Sequence, residues 1–193
     1  YGHQLGHAAY STLLGMYPAG NRLEYIKPIE SGAPLAYWEP RPYKISNSNS
    51  VNFETVGLPS KEWPGVEELD KQIAIESDFR IRERLLRKKT IANFTQGKGE
   101  IPTQVFAWRF GNLIFVGISC EIDVAWQQEV RAAFPGYGVV AITDVNYSAI
   151  GYIVREELCD LNLYQAWQPP YGRGSFTSLV GHCTRLMKQS LKP

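Results

Sequence analysis

With 193 residues, 44% hydrophobic and 20% charged, the chain can bury a core of its own, which excludes a disordered linker or a low-complexity tail. Twenty Lys and Arg stand against 19 Asp and Glu, so no net field draws the chain to nucleic acid or to an anionic membrane. The longest apolar run, residues 113–118, is strand-length and far short of the roughly 20 residues of a membrane-spanning helix, so no transmembrane segment is expected.

The elements follow in chain order. Residues 2–16 predict a helix, with Leu5, Ala9, Leu13 and Met16 at helical spacing and Gly15 and Pro18 at its end. The chain opens on Tyr1 rather than Met and already within this helix, so an upstream segment of the protein is expected. His3 and His7 lie four apart on the same face, a spacing that suits either a shared metal or two unrelated surface imidazoles. Position 4 is Gln where a metalloprotease helix carries Glu. Residues 21–50 mix prolines, glycines and aromatics with a Ser/Asn run at 46–50, and predict a long irregular surface excursion. Residues 51–58 alternate as a strand.

From Pro64, a residue that fits a first helical turn, one long helix is predicted to about Asn93, with Val66, Leu69 and Ile73 on its apolar face. Its second half carries Arg80, Arg82, Arg84, Arg87, Lys88 and Lys89. Interleaved Glu76, Asp78 and Glu83, and no interleaved aromatic, favour a solvated face with local ion pairs over a nucleic-acid patch. Residues 103–110 and 113–119 flank Gly111-Asn112, the two-residue turn of an antiparallel hairpin. The second of these strands is apolar on both faces and so predicted to be central. Asp123 predicts the cap of a helix that Pro135-Gly136 stops, residues 138–145 a further buried strand, and 155–162 a short helix. Ser175 predicts the cap of a last helix with Leu179, Cys183, Leu186 and Met187 on its inner face; His182, on the same helix, is read as structural or exposed. The fold class is mixed α/β: one domain over 1–193, with a mixed sheet that includes an antiparallel hairpin and is covered by helices.

Two strand ends carry the candidate chemistry. Ile118-Ser119-Cys120-Glu121 puts a carboxylate after a buried run, where α/β sheets place ligands. Such a Glu serves as metal ligand or general base, or merely sits at a helix N-terminus. The strand at 138–145 leads into Asn146, Tyr147 and Tyr152, whose polar tips can converge on Glu121. Each tyrosine is a potential phenolate ligand, a proton donor, or a core ring with one hydrogen bond. Cys120, Cys159 and Cys183 have no CxxC spacing and exclude a disulfide scaffold or a zinc knuckle. Asn93-Phe-Thr and Asn146-Tyr-Ser match glycosylation sequons.

Trp108-Arg109-Phe110-Gly111, Gly117-Ile118-Ser119-Cys120-Glu121, Asn146 with Gly151-Tyr152-Ile153, and Tyr164-Gln165 together resemble the neutral/alkaline ceramidases. The resemblance runs in order over most of the chain and is strongest between Trp108 and Tyr164. It implies the C-terminal part of a larger layered catalytic domain, zinc as cofactor, and hydrolysis of the N-acyl bond of a lipid amide such as ceramide. By the same resemblance Glu121 and Tyr152 are zinc ligands, completed by two histidines upstream. Tyr164 lies by the substrate amide, and Asn146 and Tyr147 belong to the substrate-binding loop. The nucleophilic serine also belongs to the upstream part, and the compartment implied is extracellular or periplasmic. Ser119-Cys120 stands where the family has Pro-Gly, leaving Cys120 either beside the metal or packed in the core. The alternatives are a hydrolase of the same superfamily acting on another amide or ester, and a non-catalytic binding module using Tyr37, Trp38 and Tyr43.

Overall fold

Alternation and turn residues explain most of the architecture. The computed structural model describes residues 1–16, 20–44, 46–95, 97–144 and 151–192. These form two compact units, Tyr1–Asn47 and Ser48–Pro193.

In the first unit, α1 (Gly2–Gly15) is the helix expected, but none of its described residues is buried; Leu5 and Leu13 are exposed. The excursion expected over 21–50 is instead largely an antiparallel ribbon of β1 (Asn21–Glu30) and β2 (Pro34–Pro42), turning at Gly32, whose φ is +75°. The prolines that suggested irregularity are tolerated because a two-stranded ribbon has outward edges, where a missing N–H breaks no ladder. Tyr25 faces Trp38 across the ribbon, with the rings edge-to-face at 5.4 Å.

The second unit is built on a four-stranded mixed sheet ordered β3-β4-β5-β7. Its strands are β3 (Asn49–Pro59), β4 (Glu100–Phe110), β5 (Leu113–Ile118) and β7 (Gly138–Ile142). The hairpin expected at Gly111-Asn112 joins β4 to β5, and Gly111 takes the φ of +60° that such a turn needs. β5 is central, antiparallel to β4 and parallel to β7, with α4 (Ala125–Ala132) as the crossover. Asp123 starts that helix as expected, its Oδ1 accepting the Ala125 N–H at 2.9 Å. α6 (Ser175–Ser190) lies on the same side of the sheet, and Leu179, Cys183, Leu186 and Met187 meet Val105, Ala107, Ile114 and Val116 in one core. Ser175 does not cap it: its Oγ donates to the Pro59 carbonyl, and Glu156 Oε1 accepts the Gly174 N–H instead. The other face of the sheet carries Val51, Phe53, Trp108, Phe110 and Val140, each at least 38% exposed.

The long helix expected from Pro64 is two, α2 (Val66–Ile75) and α3 (Phe79–Thr95). Asp78 is the cause. Its Oδ1 accepts the Arg80 N–H at 2.9 Å, while its own N–H donates to Glu76 Oε1 at 2.8 Å, an N-cap that restarts the helix. Of the helix expected at 155–162 only a single 3₁₀ turn, Glu156–Leu158, forms. All three cysteines are free. Among the described residues no helix is long and apolar enough to cross a membrane.

α6 is tied to β3 by charge. Glu54 accepts from Arg185 and lies 2.9 Å from His182 Nδ1, so His182 is a structural partner of the sheet edge. Burial pushes the Glu54 carboxyl up, but hydrogen bonds from Arg185 and His182 outweigh it and hold the group below its ordinary value. A carboxyl lowered on folding contributes stability above its unfolded pKa, and that contribution fades as pH falls through the folded value. Glu54→Gln is therefore expected to cost about 1 kcal/mol in urea unfolding at pH 7, and progressively less as the pH is taken below about 4.

Candidate functional site

The backbone beyond the central strand brings two predicted residues together. After β5, Ser119 extends the pairing with β4: its N–H donates to the Gln104 carbonyl at 3.1 Å, and its Oγ accepts the Gln104 N–H at 2.9 Å. Glu121 and Ile122 then form a short strand, β6, parallel to β8 (Tyr152–Ile153), with Glu121 directly opposite Tyr152. Two features lock this pairing. The Asp123 N–H donates to the Ile153 carbonyl at 2.9 Å, and Arg155 Nε lies 3.2 Å from Asp123 Oδ2. Ile153, next to Tyr152, is fully buried and anchors β8 in the core. Before Tyr152, Gly151 holds φ at +89°, and a Cβ there would lie 2.8 Å from Gln168 Oε1 and 3.1 Å from Pro169, so the bend that presents Tyr152 requires glycine.

Tyr164, on the one-turn helix α5 (Tyr164–Trp167), joins them: its ring meets Tyr152 edge-to-face at 5.7 Å and Trp167 at 5.4 Å. Arg87 Nη1 donates to the Tyr164 hydroxyl at 3.2 Å while Arg87 Nε holds Glu83 Oε1 at 3.0 Å, which fixes the phenol oxygen from the α3 side. Glu121 is exposed and Tyr152 half-buried. The Glu121 carboxylate raises the Tyr152 phenol above its ordinary pKa, with burial and the neighbouring Tyr164 acting the same way. A positive charge placed beside the phenol would act the other way and favour its anionic form.

Cys120 sits between Ser119 and Glu121 but its side chain is wholly buried in the core beside Cys183. Burial pushes its thiol far above the usual range, so of the two roles expected for it, packing is the one observed. Asn146 and Tyr147, expected in the substrate loop, lie outside the described residues. Among the described residues no three His, Cys, Asp or Glu side chains group closely enough to hold a metal. Glu121 and Tyr152 stand opposite each other with one oxygen-bearing side chain apiece, fewer than the three protein ligands that a catalytic zinc takes.

Beside Tyr152 opens a cavity of about 740 Å³. Trp63, Trp167 and the buried Tyr171 give it an aromatic lining; Lys61, Arg84, Lys88 and Arg173, with the carboxylates of Glu62 and Asp160, give it charge. Arg84 lies 4.3 Å over the Trp167 ring and donates to Asn162 Oδ1 at 2.7 Å. The sequence reading missed these residues, although a signal existed. Arg87 has Glu83 one turn earlier, whereas Arg84 and Lys88 have no acid three or four positions away on either side.

No protein-family model matches the chain, and no curated protein sequence matches it. Among solved structures it is similar to neutral ceramidase from Pseudomonas aeruginosa, with a TM-score of 0.47 and 15% identity over 76% of this chain. The chain spans 29% of the length of that structure.

Proposed function

We propose that this chain supplies part of the active site of a zinc-dependent hydrolase of N-acyl amide bonds, resembling the neutral/alkaline ceramidases, with a lipid amide as substrate. The observation that carries the reading is the register of Glu121 against Tyr152, with the Tyr164 ring packed on Tyr152. The motifs around these three residues are those in which the resemblance is strongest. Glu121 and Tyr152 would hold the metal, with further ligands, histidines by the resemblance, supplied from outside these 193 residues. Bound zinc supplies the positive charge that polarises an amide carbonyl.

The chain's own residues then have distinct tasks. Tyr164 accepts its hydrogen bond from Arg87, so its O–H proton is free to be donated to the substrate amide. The aromatic lining of the adjacent cavity offers an apolar face to the part of the substrate beyond the amide. Cleavage of the C–N bond with addition of water releases a fatty acid and an amine.

The test is hydrolysis by the full-length protein. Release of fatty acid from N-acyl amides is expected to stop on treatment with a zinc chelator and to return when zinc is restored. Release that persists at full rate after the metal has been stripped would refute the reading.

A further inference from the structure

Five of the six basic residues of α3 fall into two classes, and the sixth, Arg82, is exposed to solvent. Arg80 pairs with Asp78, Arg87 with Glu83 and Lys89 with Asp70. Arg84 and Lys88 turn instead into the cavity beside Tyr152, where Lys61 meets them from the segment after β3. None of these three has a carboxylate within ion-pairing distance among the described residues. Arg84 makes its hydrogen bond to Asn162, and its Nε is buried with no partner. Lys61 donates to the Ala166 carbonyl. Two carboxylates stand among the lining residues: Asp160 is engaged by Arg173, and Glu62 is exposed to solvent.

Three cations drawn into a partly enclosed, aromatic-lined space repel one another and lose hydration. Burial accordingly lowers the pKa of both lysines, and the Arg84 charge lowers that of Lys88 further. A structural cluster would carry its counter-charge on the protein, as the other face of α3 does. Here Lys61, Arg84 and Lys88 have no ion-paired carboxylate among the described residues, and the space beside them is open. Tyr152 lines the same cavity, so a molecule with its amide at Tyr152 and Tyr164 can extend its head group toward the cations.

We infer that the cavity recognises an anionic head group, so that the substrate is an N-acyl amide whose amine part bears a carboxylate or a phosphate. The anion seats on Lys61, Arg84 and Lys88, and the carbon skeleton lies against Trp63 and Trp167. This assignment of substrate class rests on the amide-hydrolase reading; the anion site itself does not.

The test uses uncleavable sulfonamide analogues and isothermal titration calorimetry on the full-length metal-loaded protein. The probes are dodecylsulfonyl-glycine, the phosphate ester of dodecylsulfonyl-ethanolamine, and neutral dodecylsulfonyl-ethanolamine. At least one anionic probe is expected to bind tenfold or more tightly than the neutral one, and the ranking of the two separates carboxylate from phosphate. Lys88→Gln is expected to cut that advantage several-fold, and Lys61→Gln with Lys88→Gln to abolish it, with the melting temperature checked for each. Rising salt should weaken only the anionic probes. Equal affinity for charged and neutral probes, or an advantage that survives the double substitution, would overturn the inference. A protein that shows the advantage yet holds no zinc and releases no acid from any amide supports the anion site and overturns the hydrolase reading.

Discussion

Replacing Glu121 with alanine in the full-length protein is expected to lower amide hydrolysis by at least about a hundredfold while leaving the melting temperature nearly unchanged. The size follows from the role. Losing a group that only orients a metal ligand typically costs about 10–100-fold, and Glu121 is proposed as a ligand itself. The unchanged stability follows from its position. Glu121 is exposed and β6 is held by the Asp123–Ile153 hydrogen bond and the Asp123–Arg155 ion pair, neither of which involves its side chain. Surface substitutions of that kind usually shift stability by less than about 0.5 kcal/mol. Loss of activity accompanied by unfolding would instead mark Glu121 as structural, and full activity would remove it from the site.

Trp126→Ala is expected to be the most damaging substitution for the fold, costing about 3–5 kcal/mol in urea unfolding. Trp126 is 2% exposed and lies on α4, in the core cluster shared with Cys120, Ile153 and the inner face of α6. Truncation removes the largest fully buried side chain among the described residues and leaves a void that the flanking strands cannot close without moving. At roughly 2–4 °C per kcal/mol for a protein of this size, the melting temperature falls by about 10 °C. Because only Asp123 and Val124 separate α4 from the Glu121–Ile122 strand, the same change should loosen the Glu121–Tyr152 register. A loss below about 1 kcal/mol would show that α4 is not part of the cooperative core.

What the sequence made legible was local. Gly111-Asn112 between two apolar runs sufficed for the hairpin, and the doubly apolar 113–118 run for a central strand. Glu121 and Tyr152 stood out because each follows a buried strand. Their direct opposition did not, since a two-residue parallel pairing is set by Gly151, Ile153 and the Asp123–Arg155 ion pair rather than by any periodicity. The break between α2 and α3 was written in Ser77-Asp78, a good cap, but the basic run beyond it read as one continuous face. The β1–β2 ribbon was hidden by its prolines. The cavity cations were hidden for a different reason. A run of Arg and Lys looks alike in sequence whether its members face acids or a cleft, and only the spacing of Glu83 from Arg87 distinguished the two.

The most direct measurement is the zinc content of the purified full-length protein and its Tyr152→Phe variant. Phenylalanine keeps the ring that packs on Tyr164 and removes only the phenol oxygen. One zinc per chain is expected in the unaltered protein and a substoichiometric amount in the variant after mild chelation, with the fold intact in both. Equal zinc retention in the two proteins, or no zinc in either, would contradict the assignment of Glu121 and Tyr152 as a metal-binding pair.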